Sequence, residues 1–236
     1  MKLVLILVGG KGKRLKTVVN NCPKALAETN GIPFLEIQLR WLVAQGVKDV
    51  VLLTGFRSKQ IKDFVGNGSK WGLNITCIKE GSPLDTGGAL LNAIKELRIQ
   101  EDFLLFNGDS LTEICLMDFC RETQFVKSVK LVAVSKEDAG RYGILEFDEK
   151  NNLIGFREKG NDSIAGWVNA GIYFFPAGWF NDLPTDIISC SLERDLIPKW
   201  LSESRLVQVF PVTGSFIDIG TPESLAKFKL QMKIWS

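Results

Sequence analysis

The stretch LVLILVGGKGKRL, residues 3–15, decides how the fold begins, because an apolar run leads directly into a glycine-rich turn. Residues 3–8 have the length and composition of a strand that is buried on both faces. The glycines at positions 9, 10 and 12 break regular structure and would let backbone amides approach a phosphate closely. The apolar run is too short for a signal peptide or a membrane span, so we expect neither here.

The rest of the first 110 residues continues with alternating apolar strands and amphipathic helices. Apolar runs predict strands at 47–54, 74–79 and 103–106, and apolar positions at helical spacing predict helices at 34–45, 59–65 and 87–97. This alternation is typical of an α/β protein with a parallel, doubly wound sheet.

The second half, from about residue 111, is richer in strands. We predict strands at 130–135, 143–148, 153–158, 168–175, 205–210 and 216–219, and helices at about 191–201 and 222–233. The chain has no internal repeat and no evident linker. It therefore predicts one α/β domain over residues 1–236, with a doubly wound, mainly parallel, Rossmann-like mixed sheet and helices on both faces.

The amino-acid composition limits which partners and which catalytic groups this chain can have. Of 236 residues, 45% are hydrophobic and 24% charged, and the net charge of +2 gives no reason to expect a nucleic-acid partner. The five cysteines are odd in number and form no C-x-x-C pair, which favours a reducing cytoplasm. The absence of histidine excludes Ser-His-Asp and Cys-His triads and histidine metal sites. Any catalysis must rest on carboxylates, lysines, arginines, backbone amides or a hard metal ion.

Three polar segments, 9–14, 80–88 and 107–109, each follow a predicted strand. Ligands of doubly wound sheets lie beyond the carboxyl ends of the strands, so we expect these segments to converge there. Lys11, Lys13 and Arg14 would add positive charge for a triphosphate beside the glycine turn. The turn is neither a Walker motif nor G-x-G-x-x-G, which disfavours a dinucleotide site. The alternative is an ordinary turn with solvated lysines.

Two aspartates are candidate metal ligands. Asp109 ends a predicted strand, where a carboxylate can bind a hard cation that bridges phosphates, although a turn or helix-cap aspartate would look the same. Asp218 lies in the apolar run FIDIG, residues 216–220. Burying it there is costly unless a cation or hydrogen bonds compensate the charge, the alternative being an edge position that faces water.

Taken together, six motifs in sequence order carry a resemblance. They are GGKGKRL with Pro23 and Lys24 after it, LDTGGA at 84–89, NGD at 107–109, GFREK at 155–159, NAGIY at 169–173 and FIDIGTPE at 216–223. This set resembles the sugar-1-phosphate nucleotidyltransferase family over nearly the whole chain. Arg141-Tyr142-Gly143 and SLERDLIP at 191–198 look most like D-glycero-D-manno-heptose 1-phosphate guanylyltransferases. Mannose-1-phosphate guanylyltransferases and N-acetylmuramate 1-phosphate uridylyltransferases are also similar.

The resemblance implies the substrates and the roles of individual residues. The substrates would be a nucleoside triphosphate, with GTP favoured, and a sugar 1-phosphate, and the products an NDP-sugar and pyrophosphate. Catalytic roles fall on Arg14, Lys24, Asp109 and Lys159, with Mg²⁺ as cofactor on Asp109 and Asp218. The nucleotide is assigned to Val8, Gly9, Gly10, Gly12, Lys13, Glu80, Thr86 and Gly87, and the sugar to Asn107, Gly143, Glu158 and Asn169. Residues 1–110 would form the nucleotide-binding half and 111–236 the sugar-phosphate-binding half.

At two positions the sequence departs from the pattern of the families that it resembles. Two other classes of function also stay open. Ala25 follows Lys24 where these families usually have proline, and Asp85 stands where the guanylyltransferases often have glycine. A non-catalytic, nucleotide-binding relative is the first alternative. A nicotinamide-dependent dehydrogenase is the second, and the missing G-x-G-x-x-G motif disfavours it. The sequence leaves open the identity of the sugar and whether the chain forms a homo-oligomer.

Overall fold

The computed structural model describes residues 2–12, 15, 22–121, 127–140, 142–157, 164–181, 186 and 188–231. The strands are β1 (Leu3–Leu7), β2 (Glu28–Thr29), β3 (Ile32–Pro33), β4 (Asp49–Thr54), β5 (Asn74–Lys79), β6 (Phe103–Asn107), β7 (Ser110–Thr112), β8 (Val129–Lys136), β9 (Ile144–Phe147), β10 (Leu153–Arg157), β11 (Gly166–Phe175), β12 (Val207–Val212) and β13 (Phe216–Asp218). The α-helices are α1 (Phe34–Ala44), α2 (Ser58–Val65), α3 (Asp85–Leu97), α4 (Leu116–Arg121), α5 (Ile197–Ser202) and α6 (Pro222–Gln231).

Within these residues, a nine-stranded mixed sheet forms the centre of the fold. Strands β5, β4, β1 and β6 lie side by side and parallel. The long strand β11 pairs antiparallel with β6 and joins two further pairs, β8 with β12 and β9 with β10. The predicted α/β fold with a mainly parallel sheet is thus confirmed, and the sheet runs through both halves of the chain.

Strand β1 shows why the sheet is buried on both faces. Successive side chains of a strand point to opposite faces, and every residue from Val4 to Ile6 is fully buried. Val4 and Ile6 pack in a cluster that includes Leu39 of α1, whereas Leu5 packs in a cluster that includes Leu90 of α3. Burying each such side chain contributes about 1.5–3 kcal/mol.

Among the described helices, none is long and apolar enough to cross a membrane.

A small second sheet brings the C-terminal part of the chain onto the first half. Strands β7 and β13 pair antiparallel, with Asp218 opposite Ser110. Helix α6 covers this ladder, and its Phe228 ring meets Phe34 of α1 edge-on at a centroid distance of 5.7 Å. Two predicted metal ligands that lie far apart in sequence, Asp109 and Asp218, therefore come from neighbouring backbone segments.

The structure differs from the predicted elements at two notable places. Asn30 and Gly31, with φ of 51° and 79°, form a tight turn between β2 and β3, which the sequence prediction missed. An Asn-Gly pair is the usual sequence of such two-residue hairpins, because both positions need positive φ. The helix predicted at 191–201 begins as a π-helical turn, Leu192–Leu196, and becomes α-helical only in α5.

Candidate active site

A cavity of about 740 Å³ opens at the carboxyl ends of β1, β5 and β6. The three polar segments that follow these strands contribute to its lining, as the strand–helix alternation predicts for a parallel sheet. Among the predicted site residues, those that line the cavity are Val8, Gly9, Gly10, Lys11, Gly12, Lys24, Glu80, Thr86, Asn107 and Asp109. The structure thus brings these candidate residues together around one cavity. Their individual roles stay predictions.

The glycine turn presents its backbone to the cavity. Within the described part of the chain, none of the amides from Gly9 to Gly12 donates a hydrogen bond. Gly12 has a φ of 56°, and a Cβ there would lie 3.2 Å from the Cβ of Lys24. The turn therefore packs against the stem of Lys24 while its amides stay available to an anion, as in other backbone anion sites.

The turn that carries Asp109 is held from two sides. The Gly108 N–H donates to the Leu7 carbonyl at 3.0 Å. From α1, the buried Gln38 amide donates through Nε2 to the Asn107 carbonyl at 2.9 Å and to the Ser110 carbonyl at 3.2 Å. Strand β1 and helix α1 together fix the backbone on which the Asp109 carboxylate sits.

Asp109 forms an ion pair with Lys24 on the cavity wall. The Lys24 side chain is only 14% exposed, whereas that of Asp109 is 37% exposed, so a largely buried lysine pairs with a carboxylate that is partly open to the cavity. The Asp109 carbonyl accepts from the Ile219 N–H at 2.9 Å, which ties this turn to the end of β13. Asp218 accepts from the Gly220 N–H through Oδ1 at 2.6 Å.

The donor set at this point suits a hard divalent ion. Among the described residues, no group of three or more His, Cys, Asp or Glu side chains could enclose a metal by itself. Mg²⁺, however, is usually bound through one or two carboxylates with substrate phosphates completing its shell. Asp109 lines the cavity, and Asp218 lies on the neighbouring backbone segment, opposite Ser110, so these two carboxylates are of the kind and number that such an ion needs.

Glu80 is fixed at the cavity wall just after β5. Its Oε2 accepts from the Leu84 N–H at 3.1 Å. Its Oε1 lies so close to two glycines that a Cβ on Gly9 would be 3.1 Å away and a Cβ on Gly55 only 2.0 Å away. A carboxylate therefore faces the part of the cavity that Phe56 also lines, where it can accept from a polar ligand.

Thr86 and Gly87 make their contacts mainly within the protein. The Thr86 hydroxyl donates to Glu193 Oε2 at 2.9 Å and accepts from the Leu192 N–H at 2.8 Å. The Gly87 N–H donates to the Cys190 carbonyl at 2.9 Å, and Gly87 is not part of the cavity lining. Their nucleotide contacts stay predictions, and for Gly87 the position offers no support.

The sugar-side candidates lie around β11. Asn169 donates through Nδ2 to the Tyr173 hydroxyl at 2.7 Å and accepts from the Gly171 N–H at 2.9 Å. Gly143 lies just before Ile144 of β9, which pairs with Val168, so Gly143 is beside Asn169. These two residues are brought together, although neither is part of the cavity lining.

Asn107 and four further candidates complete the set. The Asn107 Oδ1 atom is buried, and no described residue donates a hydrogen bond to it. Because Asn107 lines the cavity, this oxygen can accept a hydrogen bond from a ligand there. Lys13, Arg14, Glu158 and Lys159 fall outside the described residues, so their roles stay predictions.

Several residues of the site were missed by the sequence prediction, notably Gln38 and the cavity-lining Phe56 and Lys79. A signal existed for Gln38. It lies between Leu35 and Leu39 on the apolar face of its helix, and it is fully buried. A polar side chain on such a face must find hydrogen-bond partners. Lys79 ends β5 and Phe56 follows β4, so the strand-end argument that led to Glu80 and Asp109 could have included them as well.

We expect Gln38→Leu to destabilise the protein by about 1–3 kcal/mol, because it leaves the Asn107 and Ser110 carbonyls without their side-chain donor. Activity should fall as well, since the Asp109 turn loses its support from α1. Urea denaturation measures the first effect and turnover the second. Gln60→Leu, at an exposed position of α2, is the control. Equal stability of the two variants would contradict a supporting role for Gln38.

Comparison with known proteins identifies the family. The family model described as nucleotidyl transferase matches residues 3–233. A D-glycero-alpha-D-manno-heptose 1-phosphate guanylyltransferase of Aneurinibacillus thermoaerophilus is 32% identical over 97% of each chain. A mannose-1-phosphate guanylyltransferase of Mycobacterium tuberculosis is 33% identical over 94% of this chain, which spans only 62% of the length of that protein.

Solved structures of similar proteins share the fold of this chain. The crystal structure of HddC from Yersinia pseudotuberculosis complexed with GMP-PN has a TM-score of 0.86 at 31% identity, covering 98% of this chain and all of that one. A putative glucose-1-phosphate thymidylyltransferase from Bacillus anthracis has a TM-score of 0.83 at 19% identity, covering 98% of this chain and 95% of that one, and supports the fold alone.

Proposed function

Since the chain belongs to the nucleotidyl transferase family, we propose that it transfers the guanylyl group of GTP to a sugar 1-phosphate. The products are a GDP-sugar and pyrophosphate. The observation that carries this proposal is the cavity in which Lys24 and Asp109 converge with the glycine turn, whose amides donate to no described residue. Such a site offers anion-binding groups on one side and a carboxylate for a hard cation on the other.

The first candidate for the acceptor is D-glycero-D-manno-heptose 1-phosphate. The heptose guanylyltransferase of Aneurinibacillus thermoaerophilus matches this chain over 97% of both lengths, whereas the mannose-1-phosphate enzyme of Mycobacterium tuberculosis is a longer protein. Mannose 1-phosphate with GTP, and N-acetylmuramate 1-phosphate with UTP, are the alternatives. A cytoplasmic location, inferred from the cysteines, belongs to the same proposal.

The chemistry is an attack by a sugar-phosphate oxygen on the α-phosphorus of the triphosphate, in line with the departing pyrophosphate. The attacking oxygen is already an anion at neutral pH, so no general base is needed, which agrees with a chain that lacks histidine. The task of the protein is to hold two polyanions together and to stabilise charge on the transferring group. The amides from Gly9 to Gly12, with Arg14, hold the departing phosphates, and Lys24 lies near the α-phosphate.

Asp109 and Asp218 would hold Mg²⁺ in this proposal. The ion, when bound, supplies positive charge to phosphate oxygens. Lys24 contributes a second positive charge at the same place, since its amine already pairs with Asp109. Lys159 would contact the sugar phosphate, while Asn107, Gly143, Glu158 and Asn169 would bind the sugar.

A panel assay tests the function. Pyrophosphate release is measured with GTP, ATP, UTP and CTP, each against the 1-phosphates of heptose, mannose, glucose and N-acetyl sugars, with Mg²⁺ present. We expect the highest kcat/KM for GTP with the heptose. Highest activity with UTP would overturn the guanylyl assignment. Binding of GTP without pyrophosphate release from any pair would favour a non-catalytic relative.

Glu80 is the proposed determinant of guanine. A carboxylate accepts from both N1–H and N2–H of guanine, and uracil lacks this pair of donors. We expect Glu80→Gln to lower the ratio of kcat/KM for GTP to that for UTP by about tenfold or more, because one good bidentate contact is worth roughly 1–3 kcal/mol of discrimination. Glu96→Gln, on the exposed side of α3, is the control. An unchanged ratio in Glu80→Gln would show that another group selects the base.

A further inference from the structure

The beginning of α3 interlocks with the segment that precedes α5. The N–H groups of Gly87 and Gly88 donate to the Cys190 carbonyl at 2.9 and 3.1 Å, and the Cys190 N–H donates to the Leu84 carbonyl at 3.0 Å. The contact is backbone against backbone, since a Cβ on Gly88 would lie 2.6 Å from the Ile188 carbonyl oxygen. The glycine pair of the LDTGGA motif is thereby explained by packing between the two halves of the chain.

Glu193 lies at the centre of this interlock, in the π-helical turn before α5. Its Oε1 accepts from the Tyr173 hydroxyl at 2.8 Å. Its Oε2 accepts from the Thr86 hydroxyl at 2.9 Å and from the Ser191 hydroxyl at 3.1 Å. One carboxylate thus connects three elements, and π-helical turns of this kind are frequent at functional sites.

The two residues that donate to opposite oxygens of Glu193, Thr86 and Tyr173, lie on the sides of the site proposed for the two substrates. Thr86 lines the nucleotide cavity. Tyr173 is fully buried in β11 and accepts from Asn169, a predicted sugar contact, at 2.7 Å. Burial, and next the negative charge of Glu193, raise the pKa of Tyr173 well above its ordinary value. Tyr173 therefore stays protonated and keeps donating to Glu193 over the whole working range of pH.

We propose that Glu193 is a positioning residue that fixes the nucleotide side of the site, through Thr86, relative to the sugar side, through Tyr173. This inference rests on the proposed function, because it assumes two phosphorylated substrates that must meet in line. Glu193 touches neither cavity contents nor reacting atoms in this role. Its effect is on the distance between the two bound groups, where an error of about 1 Å can cost roughly a hundredfold in rate.

The test is Glu193→Gln, with three measured quantities. In glutamine an NH₂ donor replaces one of the two carboxylate oxygens, so either the Tyr173 or the Thr86 hydroxyl loses the acceptor that it faces. We expect kcat for pyrophosphate release to fall about 10- to 100-fold. The Kd of GTP alone and the Kd of the sugar phosphate alone, measured by calorimetry, should each change less than about threefold, because each half of the site remains intact.

Asp195→Asn is the matched control. Asp195 belongs to the same π-helical turn, and its carboxylate accepts from the Ser191 N–H at 2.6 Å without contacting Thr86 or Tyr173. We expect this variant to lower Tm at least as much as Glu193→Gln does and to keep its kcat. Thr86→Val breaks the same link from the cavity side, and its effect on kcat should not add to that of Glu193→Gln.

The outcomes separate the two proposals. An active wild-type protein in which Glu193→Gln loses no more kcat than Asp195→Asn would overturn the positioning role and leave the proposed function standing. A loss that appears only in the Kd of one substrate, or fully additive effects of Thr86→Val and Glu193→Gln, would overturn it as well. A wild-type protein that releases no pyrophosphate from any substrate pair would overturn both proposals.

Discussion

Replacing Asp109 by asparagine is expected to lower kcat for pyrophosphate release by about 10²–10³-fold, the cost of removing one charge-stabilising group from a preorganised site. Asparagine keeps the size of the side chain. It removes the negative charge that pairs with Lys24 and that, with Asp218, would hold Mg²⁺. Steady-state kinetics over a Mg²⁺ titration should show both the lower kcat and a higher Mg²⁺ requirement.

Asp118→Asn provides the control for this result, since Asp118 is an exposed aspartate on α4 and is not among the residues that line the cavity. It should retain wild-type kcat and the wild-type Mg²⁺ titration. A kcat within tenfold of wild type in Asp109→Asn would show that this carboxylate is not needed for catalysis. Full turnover of the wild-type enzyme in excess chelator would show that no divalent ion is needed.

Gly108→Ala is expected to be the most damaging small substitution in the site. A Cβ at this position would lie 2.5 Å from the Leu7 carbonyl oxygen and 2.6 Å from Val8 Cγ1. The Leu7 oxygen belongs to the central strand β1 and cannot move away without disturbing the sheet. Overpacking of this kind costs about 1–3 kcal/mol or more, which lowers Tm by several degrees in a chain of this size. The displaced turn also carries Asp109, so activity should be lost together with stability.

Calorimetry and the pyrophosphate assay measure these two effects. Gly155→Ala is the matched glycine control, because a Cβ there meets no atom of the described residues within 4 Å. It should leave Tm and kcat nearly unchanged. A Gly108→Ala protein with wild-type Tm would mean that the turn can move away from β1 more easily than its close packing indicates.

The fold was largely predictable because its main signals are local. Apolar runs such as 3–8 and 74–79 are long enough to identify buried strands, and alternation with helices implies a parallel sheet. The same reasoning placed the cavity, since loops after parallel strands share one edge. The short elements were missed for a physical reason. Strands β2, β3 and β7 span only two or three residues, too few for a periodic pattern.

The candidate site was predictable only in part. The strand-end signal led to Glu80 and Asp109, and the ordered motifs, by resemblance, to Lys24. The neighbourhood of Asp109 and Asp218 depends on the β7–β13 ladder, whose partners are distant in sequence. The roles of Gln38 and Glu193 likewise come from hydrogen bonds to remote residues. No periodicity encodes such contacts, because they are set by how whole elements pack.

The pairing of β11 with β6 has a mechanical consequence. This long strand pairs with β6 from Ile172 to Phe175 and with β8 on both sides of an irregularity between Asn169 and Tyr173, so one sheet joins the two sides of the molecule that come from the first and second halves of the chain. A hinge between the two sides would have to break main-chain hydrogen bonds in the middle of the sheet. A large opening of the molecule at this strand pairing would therefore be costly, and we expect adaptation to a bulkier ligand to come from the loops that border the cavity.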